Sequence, residues 1–125
     1  MAAVGQGAEA VFTCLPNGSN VREAVLSEGG IADGMSEGAV LVDMSSSSPM
    51  GTIKLGEILA DRGIRMVDAP VSGGVPRAID GTIAIMVGGA KEDIEKVRPA
   101  LSVMGGQIFE TGALGSAHAM KAINN

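Results

Sequence analysis

The chain has 125 residues, enough for one domain. Apolar residues make up 46% and mean hydropathy is positive, which excludes intrinsic disorder. The net charge of −5, with no Lys/Arg cluster and only Phe12 and Phe109 as aromatics, argues against a nucleic-acid surface.

No apolar stretch approaches the ~18 residues of a membrane span, and no basic segment leads into a long apolar run at the N-terminus. No membrane association is expected. The single cysteine, Cys14, has no partner for an internal disulfide, and with His118 as the only histidine it cannot found a zinc site. A reducing, cytoplasmic location is the default expectation. With so few aromatics, the core must be built from Val, Ile, Leu, Ala and Met.

Residues 1–10, MAAVGQGAEA, read as the end of a helix or a lead-in. Val11 to Pro16 (VFTCLP) predicts a buried strand stopped by proline. Ser19 or Asn20 is expected to cap a short helix through Leu26, ended by Gly29 and Gly30. Ala39 to Met44 (AVLVDM) predicts the second strand. Pro49 suits the first turn of a helix capped by Ser48, with Ile53, Ile58 and Leu59 toward a core. That helix runs through Ala60 and closes at Asp61-Arg62-Gly63. Ile64 to Pro70 (IRMVDAP) is the third strand and stop.

Val71 to Gly81 is a Gly/Pro-rich connection, too short for a helical crossover. Thr82 to Gly89 (TIAIMVGG) is therefore expected as a strand antiparallel to its neighbours. Lys91 to Met104 reads as a helix that buries Ile94, Val97, Leu101 and Met104, with Pro99 as a kink or break. Gln107 to Thr111 is a last short strand, and a helix begins near Ser116. Near-continuous apolar strands joined by helical crossovers point to a parallel sheet covered on both faces.

In open α/β sheets ligands bind outside the carboxyl ends of the parallel strands. Those ends here read LPNGSN (Leu15 to Asn20), DMSSSSP (Asp43 to Pro49) and DAPVSGG (Asp68 to Gly74). Each loop alone suits ordinary turn chemistry; three on one edge favour a site, with N–H groups near Ser45, Ser46, Ser72, Gly73 and Gly74 facing anionic oxygens. No G-x-G-x-x-G follows a strand, and Gly5-Gln6-Gly7 has the wrong context for a phosphate loop. Lys121, among Ala, Met and Ile, is a candidate general acid or carbonyl polariser if burial tunes it, and a solvated helix lysine otherwise. His118 and Asn125 share its helix face approximately. No G-x-S-x-G elbow accompanies His118, and Cys14 reads as a packed strand residue.

Taken together, Leu15-Pro16, DMSSSSP, DAPVSGG, GTIAIMVGG and GALGSAHAMKAINN resemble the β-hydroxyacid dehydrogenase family, the group of 3-hydroxyisobutyrate dehydrogenase and tartronate semialdehyde reductase. The resemblance implies an α/β, partial Rossmann-like three-layer domain with parallel strands and an antiparallel edge, lacking the first βαβ units. It implies NAD or NADP as cofactor and a small 3-hydroxy acid or its semialdehyde as substrate. Lys121 matches the catalytic lysine. Ser72, Gly73 and Gly74 match the loop that receives the substrate carboxylate, and Asn125 matches the asparagine that holds the substrate. Leu15, Pro16, Asn20 and Ser46 match residues lining the cofactor.

Three positions depart from the family pattern: Cys14 for a common methionine, Ala117 for a glycine, and His118 for a frequent glutamine, the last expected at a surface hydrogen-bonding site. Residues 1–112 are expected to be part of the dinucleotide-binding domain, and 113–125 the start of a helix leading to a helical domain. By the same resemblance a glycine-fingerprint strand is expected before Met1. The chain alone is expected to show little or no dehydrogenase activity. The alternative is a non-catalytic fragment, or a protein that pairs with another subunit, including a homo-oligomer, through an exposed sheet edge.

Overall fold

Three short strands rich in β-branched residues set the frame: β1 (Ala10–Thr13), β2 (Val40–Asp43) and β3 (Arg65–Asp68). They are parallel and in step, with Ala10 opposite Val40 and Val40 opposite Arg65, so that Thr13, Asp43 and Asp68 end the strands side by side. The computed structural model describes residues 1–72 and 79–124, with the backbone alone at Asn124. Beyond Ala69-Pro70 the chain forms β4 (Val71–Ser72), which lies antiparallel to β5 (Ala84–Gly88). The carboxyl end of β3 meets the same strand, Asp68 opposite Gly88. β6 (Gln107–Gly112) runs parallel to β5.

The expected antiparallel edge is therefore present, with one correction. The strand after the Gly/Pro-rich link opposes β3 and β4 but runs with β6, so two strands are reversed. The cause lies in the connections. The short link forces a reversal before β5, whereas a full helix between β5 and β6 supplies a crossover long enough for parallel pairing.

Six helices among the described residues flank the sheet: α1 (Ala2–Gly5), α2 (Gly18–Leu26), α3 (Ile31–Gly34), α4 (Pro49–Ala60), α5 (Lys91–Met104) and α6 (Ser116–Asn124). Strand alternation sorts the core into two layers. Val11, Leu41 and Met66 point to the face covered by α2, α3 and α4, with Val21, Val25, Leu55 and Leu59. Val40, Val42, Val67, Ile85 and Val87 point to the other face, against Ile94, Val97 and Leu101 of α5. α6 packs beside α4 over β5, β6 and β3.

Several local expectations change. α2 is capped by Asn17, whose side chain accepts from Asn20 N at 3.0 Å, in place of Ser19 or Asn20. Ser48 caps α4 as expected, with Pro49 in the first turn. The buried stripe of α4 is Thr52, Leu55 and Leu59. Ile53, 38% exposed, instead lies against Gly115: a Cβ there would sit 2.8 Å from Ile53 Cγ1. α5 runs unbroken through Pro99, which is exposed, although proline removes one donor from the helix ladder. Met104 ends α5 at 37% exposure, outside the core. Cys14 follows the last residue of β1 and is exposed, not packed within a strand.

Candidate functional site

The aligned strand ends decide what lies beneath the three loops. Thr13, Asp43 and Asp68 sit two residues beyond Val11, Leu41 and Met66, so their side chains point to the same face, under α4 and α6. Two carboxylates and a hydroxyl thus enter the interior in one row, exposed by only 4%, 1% and 0% for Thr13, Asp43 and Asp68. Buried groups of this kind persist only when satisfied.

They are satisfied by the loops themselves. Asp43 Oδ1 accepts from Thr13 Oγ1 (3.1 Å) and from Ser45 N (3.0 Å), and its Oδ2 accepts from Ser47 Oγ (2.7 Å). Ser45 Oγ accepts from Leu15 N (2.8 Å), which ties the loop after β1 to the loop after β2. Asp68 reaches the first turn of α6, accepting from Gly115 N (3.0 Å) and His118 N (2.9 Å). The strand residue therefore caps a helix 47 residues and more away in sequence. Burial pushes the Asp68 carboxyl above the ordinary carboxylate value, and the N–H groups of His118 and Gly115 oppose that shift.

His118 completes the hub and corrects an expectation: it is buried, 1% exposed, not a surface residue. Its Nε2 lies 2.8 Å from the Ser45 carbonyl oxygen, and its Nδ1 lies 2.7 Å from Thr52 Oγ1. A carbonyl only accepts, so Nε2 carries a proton. Asp43 Oδ2 and Asp68 Oδ2 flank the ring at 3.8 and 3.7 Å. No buried side-chain nitrogen or oxygen among the described residues lacks a partner.

Three of the surface clefts hold predicted site residues. One of about 330 Å³ runs between the starts of α2 and α4, lined by Asn17, Gly18, Arg22, Ser46, Ser47 and Ser48 among others. A second, of about 500 Å³, is lined by Leu15, Pro16, Asn20, Glu23 and Gly29. The third, about 480 Å³, holds Ser72, Met86, Phe109, Thr111 and Met120. The fold thus brings Leu15, Pro16 and Asn20 together and places Ser46 in the adjoining cleft. Ser72 shares a cleft with Met120, the residue before Lys121.

Lys121 itself is half-buried and lines none of these three clefts; its ammonium has no hydrogen-bond or ion-pair partner among the described residues. Gly73, Gly74 and Asn125 lie outside the described residues. Leu15 and Pro16 give the second cleft an apolar wall beside Asn20, and Ser46 lines the first cleft. The N-termini of α2 and α4 favour negative charge at the first cleft.

Sequence reasoning missed Thr13 and Thr52 and the inward turn of Asp43 and Asp68. It singled out Ser45 and His118 but placed the Ser45 N–H toward a ligand and His118 at the surface, where the structure gives that N–H to Asp43 and buries the imidazole. One signal was available. Two predicted strands each end in Asp at the same offset from their apolar residues, which in a parallel sheet places both carboxylates on one face.

This fold and this edge define a dinucleotide-binding α/β domain of Rossmann type. Residues 1–112 match the family model described as the NAD binding domain of 6-phosphogluconate dehydrogenase, and the chain belongs to that family. The cofactor class expected, NAD or NADP, agrees with this membership.

Among curated relatives, 2-(hydroxymethyl)glutarate dehydrogenase of Eubacterium barkeri is 43% identical over 122 residues, covering 98% of this chain and 40% of the relative. The 3-hydroxyisobutyrate dehydrogenase of Mycobacterium tuberculosis, solved with L-serine, superposes with a TM-score of 0.90 at 34% identity, over 98% of this chain and 40% of that one. Psf3 in complex with NADP+ and 2-OPP superposes at 0.91 with 27% identity, over 98% of this chain and 44% of that one. The chain spans about 40% of the length of the curated relative. No helix among the described residues is long and apolar enough to cross a membrane.

Proposed function

We propose that this chain carries the cofactor loops and the catalytic lysine of an NAD(P)-dependent oxidoreductase. The enzyme moves a hydride between NAD(P) and a small 3-hydroxy acid or its semialdehyde, in the manner of a 3-hydroxyisobutyrate dehydrogenase. The observation that carries the reading is the convergence of three loops on one sheet edge, joined through Ser45 and His118 to the helix of Lys121. Family membership and the similarity to hydroxy-acid dehydrogenases support it.

The dinucleotide, when bound, supplies the hydride chemistry. Leu15 and Pro16 offer it an apolar surface, and Asn20 and Ser46 bond to its hydroxyls. Ser72, with Gly73 and Gly74, receives the substrate carboxylate, and Asn125 holds the substrate in place. Lys121 polarises the substrate oxygen and exchanges a proton with it as charge develops there. In this reading residues 1–112 form the dinucleotide-binding unit and 113–125 the start of an inter-domain helix.

The test is a titration of NAD+ and NADP+ into 15N-labelled chain. Shift changes are expected at Leu15, Asn20 and Ser46; their absence, with changes elsewhere, refutes the cofactor assignment. The 125 residues contain no G-x-G-x-x-G motif to cradle the pyrophosphate. With either dinucleotide, oxidation of 3-hydroxyisobutyrate or glycerate by the chain alone is therefore expected below the usual ~1–10³ s⁻¹. Turnover inside that range would overturn the expectation.

A second reading, subunit pairing, is favoured by one observation: β1 has β2 as its single strand neighbour among the described residues. An open edge is a template for another chain, including a second copy of this one. Monomeric mass by light scattering across a concentration series would refute it.

A further inference from the structure

We propose that His118 is a positioning residue that latches the loop after β2, which carries Ser46, to helix α6, which carries Lys121. The inference rests on the roles proposed above for Ser46 and Lys121.

Three observations carry it. First, among the described residues His118 makes both side-chain hydrogen bonds that join α6 to the segment from β2 to α4, one to the Ser45 carbonyl and one to Thr52. Second, Ser45 is pinned on its other sides. Its N–H is held by Asp43 Oδ1, its hydroxyl accepts from Leu15 N, and the residue is 2% exposed. The carbonyl that receives Nε2 cannot move without disturbing the loop after β1 as well. Third, His118 is fixed at two points, because its backbone N–H is held by Asp68 Oδ2.

A helical residue held at both backbone and ring sets the rotation of its helix. Lys121 follows three positions later, so it stands on nearly the same face, about one turn onward. The orientation of His118 therefore determines where the lysine stem leaves α6. Asp43 and Asp68 flank the ring from β2 and β3, and Thr52 approaches from α4, so three elements each present a polar group to the imidazole. An apolar side chain of equal volume would leave the Ser45 carbonyl and the Thr52 hydroxyl buried without partners.

The latch works through Nε2, and this makes it separable from simple space filling. In His118→Gln the terminal amide nitrogen reaches the position of Nε2 and donates to the Ser45 carbonyl. In His118→Asn the shorter side chain reaches only the position of Nδ1, near Thr52. Thr52→Val removes the bond at Nδ1 and keeps the one at Nε2.

Amide hydrogen exchange in the full chain, read at Leu15 and at Ala119 of α6, tests the coupling; Val42 and Val87 report the core. His118→Gln and Thr52→Val are expected to leave Leu15 and Ala119 within about threefold of the parent. His118→Asn is expected to speed both by at least about tenfold while Val42 and Val87 hold. Equal exchange in the Gln and Asn variants, or loosening of Ala119 with Leu15 unchanged, overturns the latch. Should the Asn variant fail to fold, the other two decide: faster exchange at Leu15 in either refutes coupling through Ser45. These readouts involve neither dinucleotide nor turnover, so their failure is distinct from failure of the proposed function.

Discussion

Asp68 is the residue at which substitution should read out the hub most directly. Its two carboxylate oxygens accept from Gly115 N and His118 N, one each, with no exposure to solvent. In Asp68→Asn one oxygen remains and an NH2 group replaces the other, so one of the two backbone N–H groups meets a donor. A buried N–H left without an acceptor costs about 1–3 kcal/mol, and the lost bond was charge-assisted. Opposing this, the neutral amide no longer requires a buried charge, the same cost that raises the Asp68 pKa. The offset makes about 1–3 kcal/mol an upper bound on the net loss at neutral pH. With an unfolding entropy of ~2.1 cal/mol/K per residue, that bound corresponds to a Tm lowered by on the order of 4–11 °C.

The pH dependence carries a sign. The folded carboxyl binds its proton more tightly than the unfolded one, so folding is favoured by protonation. The stability linked to Asp68 is full below the unfolded value of about 3.9 and is lost as pH rises through the raised folded value. Asn does not titrate. The gap between parent and variant should therefore be widest on the acid side of that window and shrink as pH rises through it. Urea denaturation followed by circular dichroism on both sides of the window measures it. An unchanged midpoint, or a gap that widens as pH rises, would show that Asp68 does not cap α6 as described.

Two further changes test the surroundings. A Cβ at Gly88 would lie 2.7 Å from Asp68 Oδ1, 2.6 Å from Ser116 Oγ and 2.8 Å from the Ala113 carbonyl oxygen. Because the last of these is backbone, Gly88→Ala should destabilise by about 1–3 kcal/mol, seen as a lower urea midpoint; a midpoint equal to the parent's would contradict the close packing of β5 against the start of α6. Lys121→Ala, assayed in an active enzyme containing this chain, should lower turnover by about 10²–10⁴-fold and leave dinucleotide affinity within about twofold. Loss of dinucleotide binding instead would reassign the lysine to the cofactor.

The parts of the fold that depend on short-range patterning were legible in the sequence. Apolar runs gave β1, β2, β3 and β5, Ser48-Pro49 gave the start of α4, and three- and four-residue spacing gave the buried face of α5. The errors share a cause: each needed knowledge of what lay opposite. Ile53 looks like a core residue of α4 until Gly115, distant in sequence, is found against it. Asn17, Ser19 and Asn20 are all good caps, and only the backbone of the loop after β1 selects Asn17. The direction of β6 depends on its neighbour, which no periodicity within Gln107 to Thr111 encodes.

The candidate site divides in the same way. The loops were visible because glycine, serine and proline punctuate them. The groups beneath were not read: the repeated strand-end aspartate becomes a pair only once β2 and β3 are aligned in register, and a lone histidine carries no local pattern.

The hidden part also accounts for the arrangement of the visible part. Loops rich in serine and glycine lose much conformational freedom when held in one geometry, and a ligand site needs that geometry in advance of binding. An apolar underlay could fill the space below them but would leave their inward N–H and C=O groups without partners. Asp43 and Asp68 supply acceptors in the two places where loop N–H groups and the first turn of α6 turn inward. His118 supplies the donor for the carbonyl that turns inward at Ser45. Burying two carboxylates is costly, and the raised pKa of Asp68 is the visible remainder of that cost after its hydrogen bonds are counted. The cost buys no apolar stability; what it secures is that three loops and one helix, distant in sequence, share a single set of contacts.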